Sequence, residues 1–158
     1  MGGDTWAAYQ YWMDQENFLI LESDYRYKAD NGTCDYDGKG KTRVQIDTYY
    51  SVPHNSSAQL EQYLARGPVA LYIDAASPVF GAYKNGILDS ADCYSEIDHG
   101  VTGVGYGVSP EGVSFIIVKN SWGNSWGENG YIRIKNEDGW GICGMNSSPY
   151  QPTTKESE

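Results

Sequence analysis

Long apolar runs are absent from this chain of 158 residues. A membrane-spanning helix needs roughly 18 consecutive apolar residues, and no stretch approaches that. Positive charge is scarce as well: 11 Lys and Arg stand against 21 Asp and Glu, a net charge of -10. That balance argues against nucleic acid or an anionic membrane as a partner. It suits an acidic compartment, where carboxylates partly titrate and self-repulsion falls. Histidine occurs twice, at His54 and His99, far apart and without ligand spacing around either. No metal site and no cofactor are therefore expected. The start, Met1-Gly2-Gly3-Asp4, has neither the basic residues nor the apolar centre of a signal peptide, which taken literally points to the cytosol. Three triplets tilt the other way: those opening at Asn31, Asn55 and Asn146 all fit the N-glycosylation acceptor pattern. Cysteine is limited to Cys34, Cys93 and Cys143. An odd count in a secreted protein suggests a partner elsewhere or a reactive thiol.

What is present is a globular composition. Hydrophobic residues make up 40%, and there are 14 Tyr and 19 Gly, which fits a turn-rich domain with β character. The length is that of about one domain. Thr5 to Met13 reads as a helix capped by Thr5, with Trp6, Tyr9 or Gln10, and Met13 on one face. Residues 20 to 50 read as loops, with turn signals at Asp30-Asn31-Gly32 and Asp37-Gly38-Lys39-Gly40 and a short strand at Val44-Gln45-Ile46. Ser56 and Gln59 form a capping box ahead of a helix whose apolar face is Leu60, Tyr63 and Leu64. Val69 to Ala75 is a strand, Pro78 to Ile87 is irregular, and three more strands fall near 99–106, 113–119 and 130–135. Strands at this spacing with Gly-rich turns suggest an antiparallel barrel or sandwich.

One stretch organises the rest: Asn120-Ser121-Trp122-Gly123-Asn124-Ser125-Trp126-Gly127-Glu128-Asn129-Gly130-Tyr131. Apolar strands flank it, so Asn120 sits where a strand meets a Gly-rich loop, a common place to hold a functional side chain. Taken alone, Asn before Gly and Trp is turn chemistry. His99 changes the balance, because it heads the preceding strand in Ile97-Asp98-His99-Gly100-Val101. A His at a strand head, an Asn at the end of the next strand and a Trp two residues on resembles the papain-like cysteine peptidases. The resemblance extends over nearly the whole chain: Met1-Gly2-Gly3 ahead of a Trp-bearing helix, Gly67-Pro68-Val69 opening a strand, Tyr83 to Ile87 as a turn, and Gly141-Ile142-Cys143-Gly144.

The resemblance implies an α+β, papain-like two-lobe fold. Residues 1–50 would be part of a helical lobe, 51–150 a β-rich lobe carrying His99 and Asn120, and 151–158 a disordered tail. His99 and Asn120 would be the catalytic pair of a Cys-His-Asn site. Trp122 would shield their hydrogen bond, Trp126 would support it, and Asp98 would tune the pH range of the ion pair. Gly2 and Gly3 would offer backbone to the substrate. Asp4, Thr5, Tyr72, Ile97 and Ser148 would line the pocket for the substrate's second residue before the cut, with a preference for a small apolar side chain. Cys93 would pair with Cys143, and Cys34 with a cysteine ahead of residue 1.

The departure is at the front. The family's nucleophilic Cys and its oxyanion Gln lie ahead of the Gly-Gly pair, and neither segment is in the sequence given. Cys34 is a poor replacement: its loop holds Asp35 and Asp37 and no helix N-terminus follows to favour a thiolate. The expectation is thus the C-terminal part of a longer cysteine endopeptidase, inactive alone, with exposed apolar surface on the helix at 5–13. Its partners would be a peptide or protein substrate and the missing part of the same enzyme. Its location would be lysosomal or vacuolar, or extracellular. Two other readings stay open: a non-catalytic homologue that binds peptides or a partner, and a cystine-stabilised β module with chance likeness. The last requires His99 and Asn120 to lie apart.

Overall fold

The computed structural model describes residues 3–35, 42–93 and 96–156. The chain divides into two compact units, Met1–Tyr49 with Pro152–Glu158, and Tyr50–Gln151. It passes between them inside its first strand and inside its last.

The first unit begins with helix α1, Thr5–Asp14. Ala8 N donates to Asp4 O, so Asp4 and not Thr5 stands at the N-cap, and its side chain makes no capping bond. None of the helix is fully buried; Trp6 and Tyr11 are exposed. Strand β1, Val44–Ser51, is longer than the three residues expected from sequence. Leu19 N donates to Val44 O and Gln45 Nε2 to Glu16 O at its start, and in the added part the Tyr49 ring lies 6.0 Å from that of Tyr9. The turn signal at Asp37-Gly38-Lys39-Gly40 lies outside the described residues.

The second unit carries α2 (Ser57–Leu64), β2 (Val69–Ile73), α3 (Pro78–Gly81), β3 (Ile87–Leu88), β4 (His99–Val108), β5 (Ser114–Lys119), β6 (Tyr131–Lys135) and a 3-10 turn at Ile142–Gly144. Ser56 accepts from Gln59 N, as the capping pattern requires, and Leu60 and Leu64 are buried. The segment read as irregular thus holds a short helix and a two-residue strand; Pro78 at the first turn of α3 favours that helix. β2 stops at Ile73 because Asp74 turns away: its carboxylate accepts from Ser77 N and its own N–H donates to Cys143 O.

The pairings β2–β4, β4–β5 and β5–β6 are antiparallel, but β3 pairs with β6 in parallel, so the sheet is mixed. Alternation decides the faces. Val69, Leu71 and Ile73 of β2, Ile116 and Val118 of β5, and Ile132 and Ile134 of β6 are fully buried. They form one core with Leu60, Phe80 and Met145. The Cys93–Cys143 disulfide joins that core across a sequence separation of 50.

The chain end corrects a second expectation. Residues 151–158 were expected to be a disordered tail, yet Tyr150–Glu156 is strand β7. Within the second unit Tyr150 pairs with Ala70, and within the first Lys155 faces Asp47 at 3.8 Å. Backbone pairing outweighs the polar composition that suggested disorder. Ser157 and Glu158 lie outside the described residues.

Candidate active site

Thr102 of β4 lies opposite Lys119 of β5, so the head of β4 meets the residues that leave β5. His99 is the first residue of β4, where it also pairs with Ile73 of β2. Asn120 is the first residue past β5, held by its N–H to Gly130 O. The result is a contact: His99 Nε2 is 2.9 Å from Asn120 Oδ1. That atom also accepts from Ser121 N at 2.7 Å. A backbone donor there identifies a carbonyl oxygen, which can only accept. Nε2 of His99 therefore carries the proton, and Nδ1 is left for another partner. Asn120 itself is buried, and its Nδ2 has no hydrogen-bond partner among the described residues.

The Trp122 ring stacks on His99, with centroids 5.3 Å apart and planes at 29°. It covers the imidazole beside the hydrogen bond, where exclusion of water strengthens a polar contact. Trp126 does not make that stack. It meets Trp122 edge-on at 5.4 Å and packs on Phe80 and Tyr83, at 5.0 and 5.8 Å, while its Nε1 donates to Gly81 O. Phe80 also meets Trp122 edge-on, at 5.5 Å. The aromatic floor thus comes from α3, which the sequence alone did not single out, and from Tyr83 at the head of the expected turn. Gly127 has φ +54, and a Cβ there would stand 2.5 Å from Tyr131 O and 3.1 Å from the Tyr83 ring. Only glycine allows this closure.

Glu128 was also missed. Its Oε1 accepts from Gly86 N at 2.9 Å and Arg133 Nη2 at 2.6 Å, and its Oε2 accepts from Arg133 Nε at 3.0 Å. The Arg133 hydrogen bonds hold its carboxyl below the ordinary carboxylate range. Tyr83 hydroxyl donates to Gly86 O and accepts from Arg133 N, and burial pushes its pKa upward. The sequence signal was an acid in the loop and an Arg two residues into the following strand, a pattern too common to single out.

Asp98 does not face His99 through any described bond. Its carboxylate accepts from Ala75 N at 2.8 Å and its N–H donates to Ile73 O, so it ties the chain before β4 to the end of β2. Tyr72 stands opposite Gly100, with its ring edge-on to Tyr150 at 6.4 Å. Ile97 is exposed and Ser148 partly buried. Gly3, Asp4 and Thr5 belong to the first unit, and Gly2 lies outside the described residues. Cys93 and Cys143 are bonded to each other; Cys34 is free and exposed.

The glycosylation expectation needs one correction. Asn146 is fully buried, and its Nδ2 donates to Glu137 O and Gly139 O, so the folded chain offers no amide nitrogen for a glycan there. Asn31 and Asn55 are exposed.

Residues 1–153 match the papain family cysteine protease domain. The chain belongs to the papain family. Among its relatives, cysteine endopeptidase Rep1 of Oryza sativa subsp. japonica is 42% identical over 147 residues, covering 91% of this chain and 39% of the relative. Vignain of Phaseolus vulgaris is 37% identical over 159 residues, covering 99% and 43% respectively. This chain therefore spans less than half the length of those relatives. The bromelain protease from Ananas comosus, solved with the E64 inhibitor, superposes with a TM-score of 0.86 at 33% identity, over 96% of this chain and 70% of that one. The Amb a 11 cysteine protease of ragweed pollen in its proform gives 0.87 at 32% identity, over 99% and 48%. The α+β architecture is thus that of the papain fold.

Proposed function

We propose that this chain carries the His and Asn of a Cys-His-Asn site that hydrolyses peptide bonds, as a cysteine-type endopeptidase does. The observation that carries this reading is the proton-bearing Nε2 of His99 held at 2.9 Å by Asn120 while Nδ1 stays available. A thiol facing Nδ1 gives up its proton to form a thiolate and imidazolium pair. The thiolate attacks the scissile carbonyl carbon. His99 then returns the proton to the leaving amine, and an acyl-thioester remains. Water, deprotonated by His99, attacks that thioester; the acid leaves and the thiol is restored. Asn120 fixes the ring through these steps without adding charge, and Trp122 keeps water from its bond.

None of the three cysteines in these 158 residues suits the thiolate role. Two are paired in the disulfide, and Cys34 sits beside Asp35. In the pattern this chain resembles, the nucleophile precedes the Gly-Gly pair, so a further cysteine would supply it. The 158 residues by themselves are expected not to hydrolyse peptides. Tyr72 and Ile97 support an apolar preference for the substrate's second residue before the cut, and the Tyr72–Tyr150 contact takes up volume that a large side chain would need. Gly3, with open space where a Cβ would stand, suits an approaching backbone. The Cys93–Cys143 bond supports an oxidising place of work, vacuolar or lysosomal, or extracellular, with Asn31 and Asn55 as the glycan candidates.

The test is N-terminal sequencing and intact mass of the native protein, followed by alkylation at pH 6. The expected result is one rapidly alkylated cysteine that is none of Cys34, Cys93 and Cys143, and whose rate collapses in His99→Ala. A native protein without such a cysteine overturns the peptidase reading and leaves a peptide-binding homologue.

A further inference from the structure

The loop that carries Asn120 and Trp122 is long, exposed at its tip, and rich in glycine. Ser121 to Ser125 are all exposed, and Gly123, Gly127 and Gly130 adopt positive φ. Backbone bonds within the loop, from Asn120 N to Gly130 O, Trp126 N to Gly123 O and Gly130 N to Trp126 O, close it on itself, and bonds to other elements seat it in the fold. Its fixed point is at the far end. Glu128 accepts from Nε and Nη2 of Arg133 on β6 and from the backbone N–H of Gly86 beyond α3. A bidentate Arg–carboxylate pair has defined geometry in both groups. Tyr83 closes the same knot from below, bonded to Gly86 O and Arg133 N. The knot therefore ties three pieces together: the loop, β6, and the turn that follows Phe80. Phe80 is the ring under both Trp122 and Trp126.

We infer that Glu128 is a positioning residue for the His99–Asn120 pair: its bonds to Arg133 and Gly86 seat the loop on the Phe80 floor, and so hold Trp122 and Asn120 in register with His99. Glu128 touches neither His99 nor any reacting atom. It acts through Trp126, whose backbone lies two residues ahead and whose ring spans Phe80, Tyr83 and Trp122. Lys135, two residues beyond Arg133 on β6, makes comparable ion pairs with Asp89 and Glu137 but none to the loop. It serves as an internal control. The proposal rests on the peptidase reading only where it concerns rate.

The experiment has two arms. In the first, the full chain is followed by NMR, reading the carbon-bound ring protons of His99, which the stacked Trp122 shifts, and the His99 Nε2–H signal. Glu128→Gln is expected to move the His99 protons toward unstacked values and to broaden the Nε2–H signal, in protein that circular dichroism shows to be folded. Lys135→Gln is expected to leave both unchanged. Should Glu128→Gln not fold, Arg133→Lys keeps the charge but loses the fork, and is expected to give the same shifts in smaller degree. Unchanged His99 signals in a folded Glu128 or Arg133 variant overturn the proposal, as do equal shifts in Lys135→Gln. In the second arm, the nucleophile-bearing enzyme with Glu128→Gln is expected to lose kcat by up to about 10²-fold with little change in KM, as misplacement of a catalytic group does. Equal kcat in variant and parent overturns the rate claim. Shifts in the first arm with no peptidase activity in either enzyme overturn the peptidase reading and leave the positioning role standing.

Discussion

At the scale of single residues, the decisive object is one imidazole. Its Nε2 is committed to Asn120, which leaves one nitrogen for chemistry. Asn120→Ala is therefore expected to lower kcat of the nucleophile-bearing enzyme by about 10²-fold, since the ring keeps its place in β4 but loses its orientation. Steady-state kinetics with one peptide substrate checks this, and an unchanged kcat would remove Asn120 from the site. Glu128 gives a pH prediction. Its pKa is depressed in the folded chain, chiefly by the Arg133 bonds. A depressed carboxylate stabilises the fold fully above its unfolded pKa, about 4.3. That contribution declines as pH falls below this value and is gone once pH passes the lower folded pKa. The difference in urea midpoint between the parent chain and Glu128→Gln should thus be constant above about pH 5.5 and shrink in more acid solution.

At the scale of elements, the two helices longer than four residues behave differently. α2 buries Leu60 and Leu64 and is capped by Ser56, whereas α1 has no buried residue. Leu60→Ala is expected to cost about 2–5 kcal/mol, measured by chemical denaturation, because a fully buried leucine leaves a cavity. Amides of α1 are expected to exchange with solvent well before those of β5, where Ile116 and Val118 lie in the core. Hydrogen exchange at neutral pH checks the order. Sequence patterning found both helices from their apolar spacing; the start signal was right for α2 at Ser56, while at α1 Asp4 stands at the N-cap in place of Thr5. It missed α3 and β3, which are too short to carry a period. It misjudged β7, whose residues Gln151-Pro152-Thr153-Thr154-Lys155-Glu156 look polar and are ordered by backbone pairing with residues distant in sequence.

For the molecule as a whole, the disulfide is the one covalent tie among the described residues. It closes a separation of 50 residues, for which chain entropy gives about 4 kcal/mol, within a usual range of about 2–5. Replacing Cys93 and Cys143 together by Ser is expected to lower stability by that order, read from urea unfolding with and without the bond. The net charge of -10 repels the molecule from itself at neutral pH. Solubility should therefore pass through a minimum near the sequence pI of about 4.5.

The sequence by itself determined strands β2, β4, β5 and β6 and the α2 cap. These rest on local rules: period and capping. The family likeness added His99 and Asn120 as the candidate pair and the Cys93–Cys143 pairing, which no local rule specifies. Only the tertiary structure decided which His99 nitrogen is free, that the Asn146 side chain is buried, that Phe80 and Tyr83 stand beneath the Trp loop, and that Glu128 ties that loop to β6. The first rests on a bond between residues 21 positions apart, and the seating of the loop on one between Gly86 and Glu128, 42 apart. Side-chain direction across a mixed sheet is set by register and packing, and no window of sequence contains that.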